Sequence, residues 1–371
     1  MKYKKIIKTK NLKRIIWLQS IFSENCVKES PAVSHAANTW QYEFIKSLKN
    51  LNIECICVGH KYEPAFPRGP FFVKTFKKDL VKDIKSKVIN YINFPYFRNF
   101  HLKKNYYQYL KNFNFKKGDI ILTYNDSFLS EVALKLKNHF NIPWISIVAD
   151  LKKPTGSSGY VYFSWNYYKK NKDYKIHIDG GINTRSVNPN LKKNKNKIIL
   201  YAGTIGGHAG ALYLIKAFNQ IKNSDIELWL CGKGNDHNIK KLVYEDKRIK
   251  FFGYVSKKKL EKLCYEADIF VNPRPSNGNE TNFPSKILFY LSFKKPVIST
   301  RSGLSPKYNN VLYLLRNEKI QTLTEKLNQV ILLKQKQKKL LKNKIMLFNK
   351  LNTWDIHSKR FVLWCNKISK R

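Results

Sequence analysis

Apolar residues in this chain gather into two kinds of run that alternate. Short apolar runs of strand length occur at 14–22 ("RIIWLQSIF"), 53–59 ("IECICVG"), 119–125 ("DIILTYN") and 143–150 ("PWISIVAD"). Between them the apolar positions recur every three or four residues. In "SHAANTWQYEFIKSLKNL" (34–51), Ala37, Trp40, Phe44, Ile45 and Leu48 share one stripe, which predicts an amphipathic helix. A second helix is expected over 127–139. Strands alternating with helices imply parallel sheets joined by crossover helices.

The alternation pauses and then restarts. Residues 186–197 ("SVNPNLKKNKNK") are polar and basic, with a proline and no apolar period, and read as a linker. Strands are expected at 197–203, 226–232, 248–255, 268–273 and 296–300, and helices at 211–221, 258–267 and just before 296. The last segment is lysine-rich and helical, with Trp354, Ile356, Phe361 and Trp364 as its apolar face. The expected organisation is a doubly wound α/β domain over 1–185, the linker, a second such domain over 198–345, and a tail helix over 346–371 that packs back on the first domain. Doubly wound units bind ligands at the carboxyl ends of their strands, and a cleft between two of them is the default site.

Charge narrows the partners. Seventy Lys and Arg stand against twenty-five Asp and Glu, a formal charge of +45. Such a field attracts polyanions: phosphorylated substrates, anionic membranes or nucleic acid. Part of the lysine excess is a background bias, because Asn, Ile and Tyr are abundant with it. No motif of a nucleic-acid module is present, so no specific nucleic-acid partner is expected. The six cysteines have no C-x-x-C spacing and read as buried free thiols of a reducing compartment. No apolar run approaches the roughly 18 residues of a membrane span. A cytoplasmic protein is expected, with peripheral contact to the inner membrane face as an open option.

Two loops carry candidate chemistry. In "YAGTIGGHAGA" (201–211) a strand ends and Gly203, Gly206, Gly207 and Gly210 precede a helix. Glycines let backbone N–H groups approach an anion, yet the spacing fits neither G-x-G-x-x-G nor a Walker loop, and a structural turn explains it equally well. In "NPRPSNGNETNFPSK" (272–286), Arg274 and Glu280 precede a helix opened by Pro284. Arg274, Lys286 and that helix start make a convergent positive site. The alternative for Lys286 is one more solvated lysine. Ile287, Leu288 and Leu291 form a buried stripe, while Lys286, Phe289 and Phe293 lie at i, i+3, i+7 on another face.

"ILYAG", "ELWLCGKGN", "RIKFFGYV", "ADIFVNPRP", "FPSKILFYLSFKKPVIST" and "GLSPKYNNVLYL" come in the order and spacing of the retaining glycosyltransferases of family 4. They look most like the capsule and cell-surface polysaccharide branch with an FPSK-type donor motif. The resemblance is closest over 198–315, looser over 30–60 and 119–183, and absent from 72–117. It implies a GT-B fold, two Rossmann-like domains facing each other across a cleft. It implies transfer of a sugar from a nucleotide-diphosphate donor, with retention, to a cell-surface glycan that is often lipid-linked. No metal or other cofactor is implied, donor charge being met by loop amides and cations. Carried onto this sequence, Gly203, Thr204, Gly206 and Gly207 would face the diphosphate, with Arg274 and Lys286 as cationic partners. Glu280 would bond donor hydroxyls, with Asn282 beside it, and Asp150 would face the donor sugar. Ser34 and His35 fall in the acceptor-side loop, where Ser34 is equally a plain helix cap.

One departure bears on activity. The family carries a second glutamate where this sequence has Phe289, and there it accepts bonds from donor ribose hydroxyls. Three readings stay open: Glu280 or Asn282 takes over, the ring stacks on the donor nucleotide, or the protein is a catalytically degenerate scaffold of the same fold. The Gly206–Gly210 loop also lacks the basic residue many relatives carry there. A GT-B sugar-nucleotide epimerase is a further enzyme alternative, disfavoured by the FPSK-type loop. Residues 72–117 interleave Phe and Tyr with Lys and read either as a segment lying on an anionic membrane or as an ordinary helical insert.

Overall fold

A computed structural model of the chain describes residues 12–30, 32–150, 152–183, 185, 194–206, 209–234, 237–275 and 283–368. The chain divides into two units. The first holds the residues up to Gly181 together with those from Trp354 onward, and the second holds Ile182–Thr353.

In chain order the first unit runs β1 (Arg14–Leu18), α1 (Glu24–Glu29), α2 (His35–Lys49), β2 (Glu54–Gly59), β3 (Phe72–Val73), β4 (Lys85–Val88), β5 (Tyr91–Ile92), α3 (Phe97–Lys111), β6 (Asp119–Tyr124), α4 (Ser127–Phe140), β7 (Trp144–Val148), β8 (Gly159–Tyr162), α5 (Trp165–Lys170) and β9 (Lys175–His177). The second runs β10 (Lys197–Ala202), α6 (Ala211–Asn219), β11 (Ile226–Cys231), α7 (His237–Glu245), β12 (Ile249–Phe251), α8 (Lys257–Glu266), β13 (Ile269–Asn272), α9 (Lys286–Leu291), β14 (Val297–Ser299), β15 (Tyr313–Leu314), α10 (Ile320–Ile331) and α11 (Gln335–Leu351). The last helix, α12 (Trp354–Ile368), belongs to the first unit.

The first sheet is parallel, in the order β4-β2-β1-β6-β7-β8-β9. Its central strands are the unbroken apolar runs, because both faces are covered by helices: Ile15, Ile16, Trp17 and Leu18 of β1 are wholly buried. Register is pinned at the open end by Arg14, whose guanidinium grips the Asp119 carboxylate of the neighbouring strand. On α2, Trp40, Phe44, Ile45 and Leu48 are buried, and Trp17 Nε1 donates to Gln41 Oε1 at 3.0 Å. The helix α12 packs on this face: Trp354 lies 5.5 Å from Trp40 and Phe361 5.2 Å from Phe44, both edge to face. The tail beyond 346 is therefore divided, not one helix. Residues 346–351 still belong to α11 and the second unit, where Asn349 Nδ2 donates to the Leu291 carbonyl and Phe348 packs on Tyr308.

The segment 72–117 is woven into the first unit. The edge strand β4 joins the main sheet, and β3 and β5 form a two-stranded antiparallel ribbon. On α3, Leu102, Tyr106 and Leu110 enter the core. Lysines 85 and 87 on the edge strand, with Lys85 paired to Glu54, suit an edge that must not pair with another chain. The expected linker over 186–197 lies largely outside the described residues, and the division falls at Gly181.

The second sheet is also parallel, in the order β12-β11-β10-β13-β14-β15. Its core gathers Ile199, Tyr201, Leu214, Phe218, Leu228 and Leu327 among others. All six cysteines are free and buried. Among the described residues no helix is long and apolar enough to cross a membrane.

Candidate functional site

Chain order in the second sheet reverses between β10 and β13. From β10 the chain moves outward through β11 to β12, then returns to the other side of β10 for β13, β14 and β15. At such a switch point the two connections leave in opposite directions and open a crevice at the carboxyl ends of the strands. The ladder between β10 and β13 ends at the pair Leu200↔Phe270. Beyond it the peptide of Ala202 is held by Tyr290, whose hydroxyl accepts from Ala202 N–H at 2.8 Å and donates to its carbonyl at 3.2 Å. The Tyr290 ring is fully buried and stacks on Phe270 at 4.6 Å, which fixes the hydroxyl there.

Two glycines make the mouth of the crevice. A Cβ on Gly232, whose φ is +152°, would sit 1.6 Å from the Gly203 carbonyl oxygen, so only glycine lets these two loops approach. A Cβ on Gly203 would sit 2.2 Å from Lys286 Nζ. The ammonium thus occupies the space where any other side chain at 203 would begin. The loop is pinned on its other side by Ile205 N–H donating to Lys233 O at 2.7 Å and by Tyr201 Oη donating to Thr204 O at 2.8 Å.

Lys286 is the first residue of α9. The turn begins at Pro284, whose carbonyl accepts from Ile287 N–H at 3.0 Å. With six residues α9 is too short to supply much dipole, so the positive potential here comes from side chains. Lys286 Nζ lies 4.6 Å above the Tyr201 ring. Burial, and after it the Arg274 charge, pull its pKa down to about 8. Arg274 follows β13, on the opposite side of the switch point, with its carbonyl accepting from Thr300 Oγ1 at 2.6 Å. The Arg274 charge opposes that of the buried lysine, and an anion beside Lys286 would relieve the repulsion and restore the lysine's basicity.

Phe289 goes elsewhere. Phe289 lies one helical turn from Lys286, and its ring has other neighbours. Phe293 meets it edge to face at 5.2 Å, and the Arg185 guanidinium lies 5.0 Å from its centre. Arg185 is fixed by Glu261 Oε1 at 2.8 Å and Ser292 Oγ at 2.9 Å. Sequence reasoning did not single out Arg185, and no local signal marks it, since its partners lie 76 and 107 residues away.

The structure thus brings Gly203, Thr204, Gly206, Arg274 and Lys286 to one end of the second sheet. Gly207, Glu280 and Asn282 lie outside the described residues. Asp150, Ser34 and His35 belong to the first unit. Asp150 is exposed just past β7, its N–H donating to Asn125 Oδ1 at 3.0 Å. Ser34 is the N-cap of α2, its hydroxyl accepting from Ala37 N–H at 3.4 Å, and His35 is the exposed first residue of that helix.

The first sheet has its own switch point, between β1 and β6, with a polar cluster that sequence reasoning missed. Tyr62 Oη reaches Gln19 Oε1 at 2.9 Å and Asp126 Oδ2 at 3.3 Å. Asp126 caps α4 through Phe128 and Leu129 N–H at 3.0 and 3.1 Å, yet burial outweighs these bonds and pushes its pKa to about 6. Beside it His60 is buried against Tyr106 Oη at 2.8 Å, and burial pulls its pKa down to about 3. The Asp before an apolar helix in "YNDSFL" was the available signal. Among the described residues no group of three or more His, Cys, Asp and Glu is gathered that could hold a metal.

Residues 196–332 match the family described as glycosyl transferases group 1. That stretch contains the whole β10–β13 crevice. Among solved structures the chain is similar to a glycosyltransferase from Rickettsia africae, with a TM-score of 0.69 at 18% identity, covering 97% of this chain and 100% of that one. It is similar to the apo form of the lipopolysaccharide outer core galactosyltransferase WaaB (TM-score 0.67, 16% identity, 95% and 99% covered). It is also similar to Anabaena HepE in complex with UDP and glucose (0.65, 14% identity, 94% and 98% covered). No curated protein matches the chain. The fold is that of the GT-B glycosyltransferases: mixed α/β, with two Rossmann-like domains built on parallel sheets.

Proposed function

We propose that the chain is a retaining glycosyltransferase of the family 4 type, of the capsule and cell-surface polysaccharide branch. It takes a sugar from a nucleotide-diphosphate donor and passes it to a cell-surface glycan that is lipid-linked. The observation that carries this reading is the placement of Lys286 Nζ in the space left by Gly203, with Arg274 across the switch point. The family match over 196–332 and the UDP-bound relative support it.

In this reading the diphosphate lies between the two cations. As the glycosidic bond to the donor phosphate breaks, charge grows on the leaving oxygens, and Lys286 and Arg274 oppose it in a crevice already preorganised. No metal is called for in this role. Asp150 and the Ser34–His35 loop serve the sugar and acceptor side, and Glu280 and Asn282 the donor hydroxyls.

A second reading, a degenerate scaffold, rests on Phe289. It draws support from the ring's engagement with Arg185, which leaves the usual carboxylate position filled by an apolar group.

The test is calorimetry with UDP, GDP and CMP at about 0.3 M salt, where attraction of any anion to so basic a chain is largely screened. One nucleotide is expected to bind clearly, with Lys286→Ala and Gly203→Ala each weakening it about tenfold or more. Absence of binding to all three would overturn the enzyme reading in favour of the scaffold.

A further inference from the structure

Of the seventeen large hydrophobic side chains exposed among the described residues, eight lie within 66–100, and all eight are aromatic. All but Phe76 stand on two turns, 66–72 and 94–100, clamped together by Asn93. Its buried amide donates to the carbonyls of Pro64 and Pro70, its N–H donates to Phe71 O, and its carbonyl accepts from Phe66 N–H. The clamp leaves Phe66 against Phe71 at 5.8 Å and beside Phe94 at 6.5 Å. At the next turn Tyr96 takes φ +63° and is 101% exposed. Phe97 and Phe100 follow on the first turn of α3, 5.6 Å apart and both more than half exposed. Tyr96 is the centre of a three-residue turn closed by Phe97 N–H donating to the Pro95 carbonyl at 2.7 Å, and this turn holds its ring out in water.

The sequence that carries this crown is basic. Residues 64–104 carry ten Lys and Arg against two Asp. A groove of about 520 Å³ runs along its base, lined by the 64–68 turn, Arg68, Arg98, Ala32 and Glu63. Glu63 is neutralised by Lys61 at 3.0 Å. Ala32 lies two residues before Ser34, so the groove joins the crown to the loop that opens α2.

We propose that the crown formed by the 66–72 and 94–100 turns docks the protein on an anionic lipid bilayer, with Arg68 and Arg98 meeting headgroup phosphates. Aromatic rings interleaved with cations fit a bilayer interface, which takes up both at once. The buried centre of a protein interface excludes lysine. The remainder of the 72–117 segment does not take part in docking, since Leu102, Tyr106 and Leu110 are core. The inference goes beyond the transfer reaction, and it brings the groove beside the acceptor-side loop to the lipid surface.

The test uses the full chain, without nucleotide, so that failure here and failure of the donor site are read separately. Cosedimentation with phosphatidylcholine vesicles, with and without about 30% phosphatidylglycerol, is measured at about 0.1 and 0.3 M salt. Binding is expected to need the anionic lipid. The combined variant Phe71→Ser, Phe97→Ser, Phe100→Ser is expected to lose about tenfold or more at the higher salt. Neutralising four lysines on α11 of the second unit (Lys336, Lys338, Lys339 and Lys342→Gln) should lose far less. As an independent readout, Tyr96→Cys takes an environment-sensitive fluorophore, because the six native thiols are buried, and a blue shift on anionic vesicles is expected. Vesicle binding that ignores the three serines, or an unshifted fluorophore, would overturn the proposal and leave only the general attraction of a polycation. Aromatic-dependent binding to a protein but not to vesicles would overturn it equally.

Discussion

The guanidinium of Arg185 lies over the ring of Phe289, 5.0 Å from its centre, and the same guanidinium also covers Phe293 at 4.8 Å. One arginine therefore occupies the side of α9 where the family resemblance leads one to expect a carboxylate. Substituting Phe289→Glu would place that carboxylate within reach of a cation already paired with Glu261.

Phe289→Glu is accordingly expected to pair with Arg185 instead of restoring a ribose contact. Stability should stay within about 1–2 kcal/mol of the parent, since a partly buried ring is exchanged for a charge with a partner at hand. Nucleotide affinity should change less than about threefold. Phe289→Ala, which loses ring and cation–π contact alike, should cost roughly 1–3 kcal/mol. Urea melts and calorimetry on both variants decide it, and a large gain in nucleotide affinity for Phe289→Glu would contradict this geometry.

The lysine at the crevice makes binding pH-dependent in one direction. In the free protein its pKa is held near 8 by burial and by Arg274, so the site loses a positive charge as pH rises through about 8. An anion binds best to the protonated lysine and raises its pKa back toward the ordinary lysine range. Affinity for a nucleoside diphosphate should be level from pH 7 downward until the phosphate itself takes up a proton. Above about 8 it should fall by up to tenfold per pH unit, until the pKa of the complex is reached. In Lys286→Arg, whose charge is permanent, the alkaline fall should vanish even if overall affinity drops.

Asp126 gives a stability signature. Its carboxyl is raised from 3.8 to about 6 in the folded state, chiefly by burial. Protonated Asp126 fits the fold, so the contribution is fully present below pH 3.8 and is lost as pH rises through about 6. The loss amounts to roughly 3 kcal/mol. Asp126→Asn keeps a side-chain oxygen to cap α4 without the buried charge. It should match the parent near pH 4 and exceed it by about 1–3 kcal/mol at pH 7. The neighbouring His60, which costs stability on the acid side, is present in both proteins and cancels from the difference. Denaturant melts across this range would show a pH-independent gap if Asp126 were in fact solvated.

Central strands were legible because parallel strands buried on both faces become unbroken apolar words. "RIIWL", "DIILTY" and "IELWLC" fall where β1, β6 and β11 lie. Of the strands at the sheet margins only β12 was legible, inside the strand expected at 248–255. "KSKV" of β4 and "KIH" of β9 are short and half polar, and only pairing with a neighbour makes them strands. In the crevice, Gly203, Arg274 and Lys286 were legible, because a strand end, a glycine and a proline-led turn are local signals. That Lys286 fills the void at Gly203 was not, since it depends on how closely two loops approach. The same holds for Arg185, and for the Gln19–Tyr62–Asp126 cluster, which three separate strand ends assemble.

The helix α12 covers Trp40 and Phe44 of the first unit although it follows the whole second unit in sequence. During synthesis the amino-terminal sheet emerges first, yet its aromatic face stays uncovered while the entire second unit is made. The half that begins folding earlier cannot be completed until the second unit has been made, and a protein truncated before Trp354 is left with an open hydrophobic wound in its opposite half.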